Sequence, residues 1–279
     1  MTVFLIILAV LLVLFLLFLL MLRGRTGQAG IKKLQGWSYA HRGLHGNGIP
    51  ENSMAAFSAA LEHGYGIELD VHLLADGSLA IMHDSKMIRT TGQDVVLETL
   101  TAEQLDAYRL EGTDEKVPFF RQVLDLFQGK APMIVELKSH DNNYAELTEA
   151  VCKMLDSYDG VFCLESFDPR CVLWLKKHRP DLIRGQLAQD FTKEKFPVPY
   201  FLCWCATYNL CDFITSPDFL AYRYSDRKNM CNLLCRNLWK IQGVSWTLKT
   251  PEEYETAVKE GWIPIFEGFD PKKDCPSAL

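Results

Sequence analysis

The chain has 279 residues, 48% of them hydrophobic, and a formal charge of −6. That length suits one large domain or two small ones, and charge and apolar content this ordinary exclude a disordered or fibrous chain. Of 29 basic residues four fall before residue 34, leaving 25 against 35 acidic ones and a balance of −10 beyond it; so acidic a body is a poor general nucleic-acid binder.

In chain order, residues 1–22 come first. They hold one polar side chain, Thr2, and no charged one. At ~1.5 Å per residue such a helix spans ~30 Å, the thickness of a bilayer core. A secretory signal peptide would want a charged start, a shorter apolar run and a small-residue cleavage site. The segment therefore predicts a single-pass membrane anchor. Arg23, Arg25, Lys32 and Lys33 follow it, and no acid precedes Glu51. By the positive-inside rule this collar predicts a cytoplasmic body. Residues 23–36, with four glycines, are expected to be a short linker.

From residue 37 onward strands and helices alternate. Strands are predicted at 38–42, 67–71, 79–83, 133–138, 161–165, 183–187, 212–215, 243–248 and 262–266. Helical periodicity predicts helices at 53–63, 102–110, 119–127, 144–157, 170–178, 226–241 and 252–260. Asn52 is the expected N-cap of the first, and Pro251 sits in the first turn of the last. Only seven residues, including the Asp76-Gly77 turn pair, separate the second and third strands. Those two form a hairpin. Eight strands remain, with helical segments between most of them, which predicts an α/β fold of the (β/α)8 barrel type with a small hairpin insertion. An open doubly wound sheet is the competing fold. Nine cysteines, an odd number set mostly in apolar stretches, read as reduced core thiols. Their C-x-C and C-x3-C spacings lack the paired C-x2-C knuckles of a zinc site.

Chemistry gathers at strand ends, where barrels carry their active sites. His41 and Arg42 end the first strand, and His83 ends the hairpin strand. Glu68 and Asp70 lie two apart, as do Glu136 and Lys138, so each pair shares a face. Carboxylates within Ile-Glu-Leu-Asp-Val and Ile-Val-Glu-Leu-Lys are expensive to bury unpaired. They need either a hard cation, Mg²⁺ or Ca²⁺, or a salt-bridge network with Lys138 and Arg42. Two histidines beside them suit acid–base work, and Arg suits phosphate. The set points to metal-assisted phosphoester cleavage.

His41-Arg42-Gly43, Pro50-Glu51-Asn52-Ser53, Ala56-Phe57, Glu68-Leu69-Asp70-Val71, Asp76-Gly77, His83-Asp84 and Glu136-Leu137-Lys138 occur in this order. So arranged, they resemble the glycerophosphodiester phosphodiesterase family. Glu165-Ser166-Phe167-Asp168 and Ser245-Trp246-Thr247 extend the likeness over most of the body. The resemblance implies a distorted TIM barrel that hydrolyses glycerophosphodiesters to sn-glycerol 3-phosphate and an alcohol, with a divalent cation. It implies Glu68, Asp70 and Glu136 as metal ligands, His41 and His83 as the acid–base pair, and Arg42 and Lys138 as phosphate contacts. Trp246 would line the pocket, and Glu51 would be a ligand-shell or structural residue. Two other readings stay open: phospholipase D- or lyase-like cleavage of lysophospholipids to a cyclic phosphate, and a non-catalytic lipid-headgroup binder. The expected organisation is an anchor at 1–22, a linker at 23–36 and a barrel at 37–279. Where the family often ends in Thr-Asp-x-Pro, this chain has Ile265-Phe266-Glu267-Gly268-Phe269-Asp270-Pro271. The aromatic segment 191–223 is either a lipid-facing surface or, by the commoner pattern, packed core.

Overall fold

A computed structural model describes residues 1–276. Nine strands form one sheet: β1 (Tyr39–Ala40), β2 (Gly66–Leu73), β3 (Leu79–Ile81), β4 (Met133–Leu137), β5 (Phe162–Ser166), β6 (Arg184–Ala188), β7 (Phe219–Arg223), β8 (Gln242–Leu248) and β9 (Ile263–Phe266). All but β3 are parallel to their neighbours, and β1 pairs with both β2 and β9, which closes an eight-stranded barrel. β3 runs antiparallel against β2 as the outside arm of the expected hairpin.

Polarity changes along the barrel's interior. Toward the amino ends it is filled by Tyr39, Ile134, Cys163, Phe219, Val244 and Ile263. A side chain at Gly185 would have its Cβ 2.1 Å from the Phe219 ring, so glycine there makes the room that this ring fills. Two residues further along, the same inward faces of β4 and β5 carry Glu136 and Glu165. The lower half is thus an apolar plug and the upper half is charged.

Three expectations need correction. Residues 212–215 form a helical turn, Asp212–Thr215, and the seventh strand is Phe219–Arg223. Ser216 takes the left-handed conformation (φ 46°), and the strand starts only beyond Pro217. Phe-Leu-Ala-Tyr, buried throughout, is the run a two-sided barrel strand requires. The helices at 102–110 and 226–241 shorten to Ala102–Leu105 and Met230–Asn237. Ser53, not Asn52, caps the helix Met54–Glu62, its side chain accepting from the Ala56 amide.

The segment 23–36 has structure of its own. It contains the helix Ala29–Leu34, and Leu34 is buried beneath Tyr39, whose hydroxyl donates to the Leu34 carbonyl. Before it, Thr2–Met21 is one helix, long and apolar enough to cross a membrane. The hairpin insertion has its own small core, in which Leu74, Met82, Met87, Leu97, Leu105 and Val117 pack together. Residues 191–223 divide. Phe219 and Tyr222 are core, whereas Tyr200, Phe201, Trp204 and Phe213 stay on the surface. All nine cysteines carry free thiols.

Candidate active site at the carboxyl ends of the barrel strands

Beyond the first strand and His41 come two consecutive left-handed residues, Arg42 (φ 54°) and Gly43 (φ 81°). Position 43 must be glycine on a second ground, since a Cβ there would lie 2.8 Å from that of Ala56. This reversal turns the Arg42 amide onto Glu68 Oε2 at 3.1 Å, with the Arg42 Nε 3.6 Å from Asp70. His41 points into the barrel mouth. Its Nδ1 lies 2.5 Å from Glu267 Oε2 and its Nε2 3.8 Å from Glu68.

Glu68, Asp70 and Glu136 come together. One oxygen of each lies within 4.8 Å of the others, and all three residues are buried. Parallel register causes this: Asp70 stands beside Glu136, and Glu136 beside Glu165. Lys138 Nζ reaches Asp70 at 3.0 Å and Glu136 at 2.8 Å. Asn52 Nδ2 donates to Asp70 at 2.8 Å.

This crowding divides the carboxylates. Burial and the charges of Asp70 and Glu136 push Glu68 well above the ordinary range. Burial lifts Glu136 to about 7, although Lys138 works against it. Burial would also raise Asp70, but Lys138, His83 and Arg42 together hold it well below the ordinary range. Glu165 is raised by burial and by the Glu136 charge, and its Oε2 is buried without a hydrogen-bond partner. Carboxylates this close, with oxygens left unpartnered, fit a hard divalent cation with oxygen ligands.

His83 enters from the end of β3. Its Nδ1 lies 2.7 Å from Asp84, and burial pulls it down to about 4. Burial also lowers His41, with the Glu267 hydrogen bond opposing. Both histidines line one hollow with Glu68, Glu136, Trp246 and Phe167. A chain of ion pairs ties the two histidine loops together: Arg42 to Glu51, Glu51 to Arg89, and Arg89 to Asp84. Glu51 therefore sits outside the carboxylate cluster as a fastener of Arg42. Trp246 is both packed and pocket-lining. Its indole donates to the Ala221 carbonyl at 2.9 Å while its ring meets Phe167 edge-on.

Next to this hollow opens a cleft of about 730 Å³. It runs from His83, Glu136 and Lys138 to an apolar wall of Phe167, Phe191 and Leu202.

Four polar contributors to the site have no site role in the sequence reading, where Asn52 figures only as an expected N-cap: Asn52, Asp84, Glu165 and Glu267. Asp84 and Glu165 stood in recognisable fragments, but their partners depend on loop closure and strand register. Glu267 occupies the stretch where the family's usual ending is absent, and barrel closure brings it to His41.

A parallel eight-stranded barrel with carboxylates, two histidines, an arginine and a lysine at its carboxyl ends has the layout of a barrel phosphodiesterase. The model of the glycerophosphoryl diester phosphodiesterase family matches residues 41–266, and the chain belongs to that family. A glycerophosphodiester phosphodiesterase of Bacillus altitudinis is 36% identical over 129 residues, 43% of this chain and 52% of that protein. One from Caldanaerobacter subterraneus is 34% identical over 160 residues, 54% of this chain and 65% of that one. The chain thus spans about half to two thirds of the length of these curated relatives. Its fold is shared with an Oleispira antarctica phosphodiesterase solved with sn-glycerol-3-phosphate. There the TM-score is 0.74 at 19% identity, covering 91% of this chain and 99% of that one.

Proposed function

We propose that the chain hydrolyses glycerophosphodiesters to sn-glycerol 3-phosphate and an alcohol at a membrane surface. The observation that carries this reading is the buried cluster of Glu68, Asp70 and Glu136 flanked by Lys138, Arg42 and two histidines. Glu68, Asp70 and Glu136 would hold Mg²⁺ or Ca²⁺, which when bound supplies positive charge to the phosphate oxygens. Arg42 and Lys138 add fixed positive charge in a site with little water. His41 and His83 exchange protons with the attacking and leaving oxygens, each held by a carboxylate on its Nδ1, Glu267 and Asp84 respectively. Trp246 and Phe167 wall the substrate in.

Thr2–Met21 is read as the anchor, with the basic collar keeping the body cytoplasmic. Its last turn being part of the packed fold supports an anchor over a removed leader, since Leu22 is fully buried. The domain reading remains an anchor at 1–22 and a catalytic body at 37–279, with 23–36 joining them. Incubating the full chain in detergent with glycerophosphocholine tests the activity. Glycerol phosphate should appear, and both a chelator and His41→Ala should abolish it. Release that survives both would refute the mechanism. Protease protection of sealed membranes tests the orientation.

The apolar cleft favours one second reading, cleavage of lysophospholipids with a cyclic phosphate product. The cleft begins at His83 and Lys138 and is walled by aromatic and aliphatic side chains, which suits an acyl chain. ³¹P NMR of the product separates the two chemistries.

A further inference from the structure

A second charged hollow lies at the other side of the fold, where the apolar helix joins the body. Leu22 packs with Leu210, Leu220, Cys231, Cys235 and Ile241. Trp239 Nε1 donates to the Leu19 carbonyl at 2.9 Å. The backbone then passes so near Pro217 that a Cβ at Gly24 would lie 2.6 Å from its carbonyl oxygen. The last turn of the helix and the two arginines after it are therefore fixed in place.

Beside this junction is a hollow of about 440 Å³. Arg23, Arg25, Lys176 and Arg184 line it, and no carboxylate among the described residues does. Arg25 is neutralised by Asp218 behind it, through two hydrogen bonds. Among the described residues the other three cations have no such partner. Lys176 Nζ bonds the Ile214 carbonyl and Ser216 Oγ, which are neutral acceptors. Arg23 is exposed, its guanidinium 5.7 Å from the Trp239 ring centre. Arg184 is the strongest indication. It is only 2% exposed, its Nη1 is buried without a hydrogen-bond partner, and its Nε makes one 3.3 Å contact to the Thr215 carbonyl. Burial and the Arg25 charge pull this guanidinium down to about 10, Asp218 offsetting only part. A buried arginine without a counter-ion is costly, and an anion in the hollow would supply one.

The rim selects among anions. Leu20, from the last turn of the apolar helix, lines the hollow beside Phe213, which is 48% exposed. A cationic floor with an apolar rim, level with the end of a bilayer-length helix, matches a lipid phosphate with its acyl chains alongside.

We infer that this hollow binds the phosphate of an anionic phospholipid from the leaflet in which the apolar helix ends. The inference rests on Thr2–Met21 being a membrane span. The full chain is reconstituted in nanodiscs of phosphatidylcholine with and without phosphatidylglycerol, then released for native mass spectrometry. The wild type should retain phosphatidylglycerol over phosphatidylcholine. Arg184→Gln and Arg23→Gln should each cut that retention about tenfold, the factor that one charge-assisted hydrogen bond carries. Arg23 is exposed, so its variant reports even if Arg184→Gln fails to fold. Equal retention of both lipids, or retention unchanged in both variants, would overturn the inference. A parallel titration of the detergent-solubilised chain with inorganic phosphate separates the sources. Binding of phosphate without lipid preference would make this a soluble-anion site and defeat the lipid assignment. Extraction of the chain from membranes by alkaline carbonate would instead defeat the span on which the site depends.

Discussion

His41 Nδ1 and Glu267 Oε2 lie 2.5 Å apart although they stand 226 positions apart in sequence, brought together by the pairing of β1 with β9. The contact fixes the ring so that Nε2 faces Glu68 and the hollow. Glu267→Gln keeps the shape but removes the charge that orients and supports the ring. The expected result is a fall in kcat of roughly a hundredfold, within the span of positioned acid–base catalysis. The fold should be unchanged by circular dichroism, and KM should move little. A variant with full kcat would show that His41 needs no orienting partner.

Glu68, Asp70, Glu136 and Glu165 are buried together, so the cation-free barrel holds repelling acids. Adding Mg²⁺ or Ca²⁺ should raise the unfolding temperature. At a hundredfold excess over Kd the gain is ~2.7 kcal/mol. For a chain of this size that is a rise of roughly 5–10 °C. Glu136→Gln should abolish most of the rise, which calorimetry with and without chelator reads directly.

Phe191 and Leu202 wall the cleft beyond the acid–base site. Leu202→Asp should raise KM for a lysophospholipid by about tenfold or more, the factor lost with one apolar contact of 1.5–3 kcal/mol. Turnover of glycerophosphocholine, which has no acyl chain, should not change. Equal effects on both substrates would remove the cleft from acyl binding.

Glu98, next in sequence to Leu97 of the insertion's core, lines the cleft, where His72 Nδ1 is 2.6 Å away and Ser85 donates to its other oxygen. Burial alone would raise it, but these contacts hold it at about 2, below its ordinary 4.5. The unfolded chain therefore takes up the proton first as pH falls. The stabilisation is fully present above about pH 4.5 and is lost as pH falls toward 2. Glu98→Gln should lower the unfolding temperature at pH 7, and its difference from wild type should shrink through that acid window. A difference independent of pH would mean the carboxylate charge is not what stabilises.

Much of this architecture was legible because period-two spacing and apolar context survive in the sequence. Glu68 and Asp70 announce themselves as charges inside an apolar strand, and the Asp76-Gly77 turn marks the hairpin. What escaped depends on distant closure. Glu165 is one acid on one strand until register sets it beside Glu136. The expected seventh strand falls on Asp-Phe-Ile-Thr because an aromatic and two β-branched residues favour a strand locally, while the true strand, buried on both faces, shows no alternation that marks it. Nor does periodicity say that Phe213 and Trp204 remain at the surface while Phe219 and Tyr222 go inside.

The burial of Leu22 and the bond from Trp239 to the Leu19 carbonyl bear on more than packing. A protein on a floppy leash can tumble and meet its substrate from any side. Here the final turn of the apolar helix, through Phe18 and Met21, packs against the body's own cluster around Leu220 and Cys235, and Trp239 bonds its backbone, so the helix is joined to the body by packing as well as by the chain. With that helix across a bilayer, the barrel's tilt and height are inherited from the helix. Cys205 packs in the same cluster as Phe18 and Met21 and also lines the cleft. Were that helix to span a bilayer, the mouth of the cleft would keep one bearing toward the lipid, and lengthening the chain between Leu22 and Arg25 would cost that aim before it cost any catalytic group.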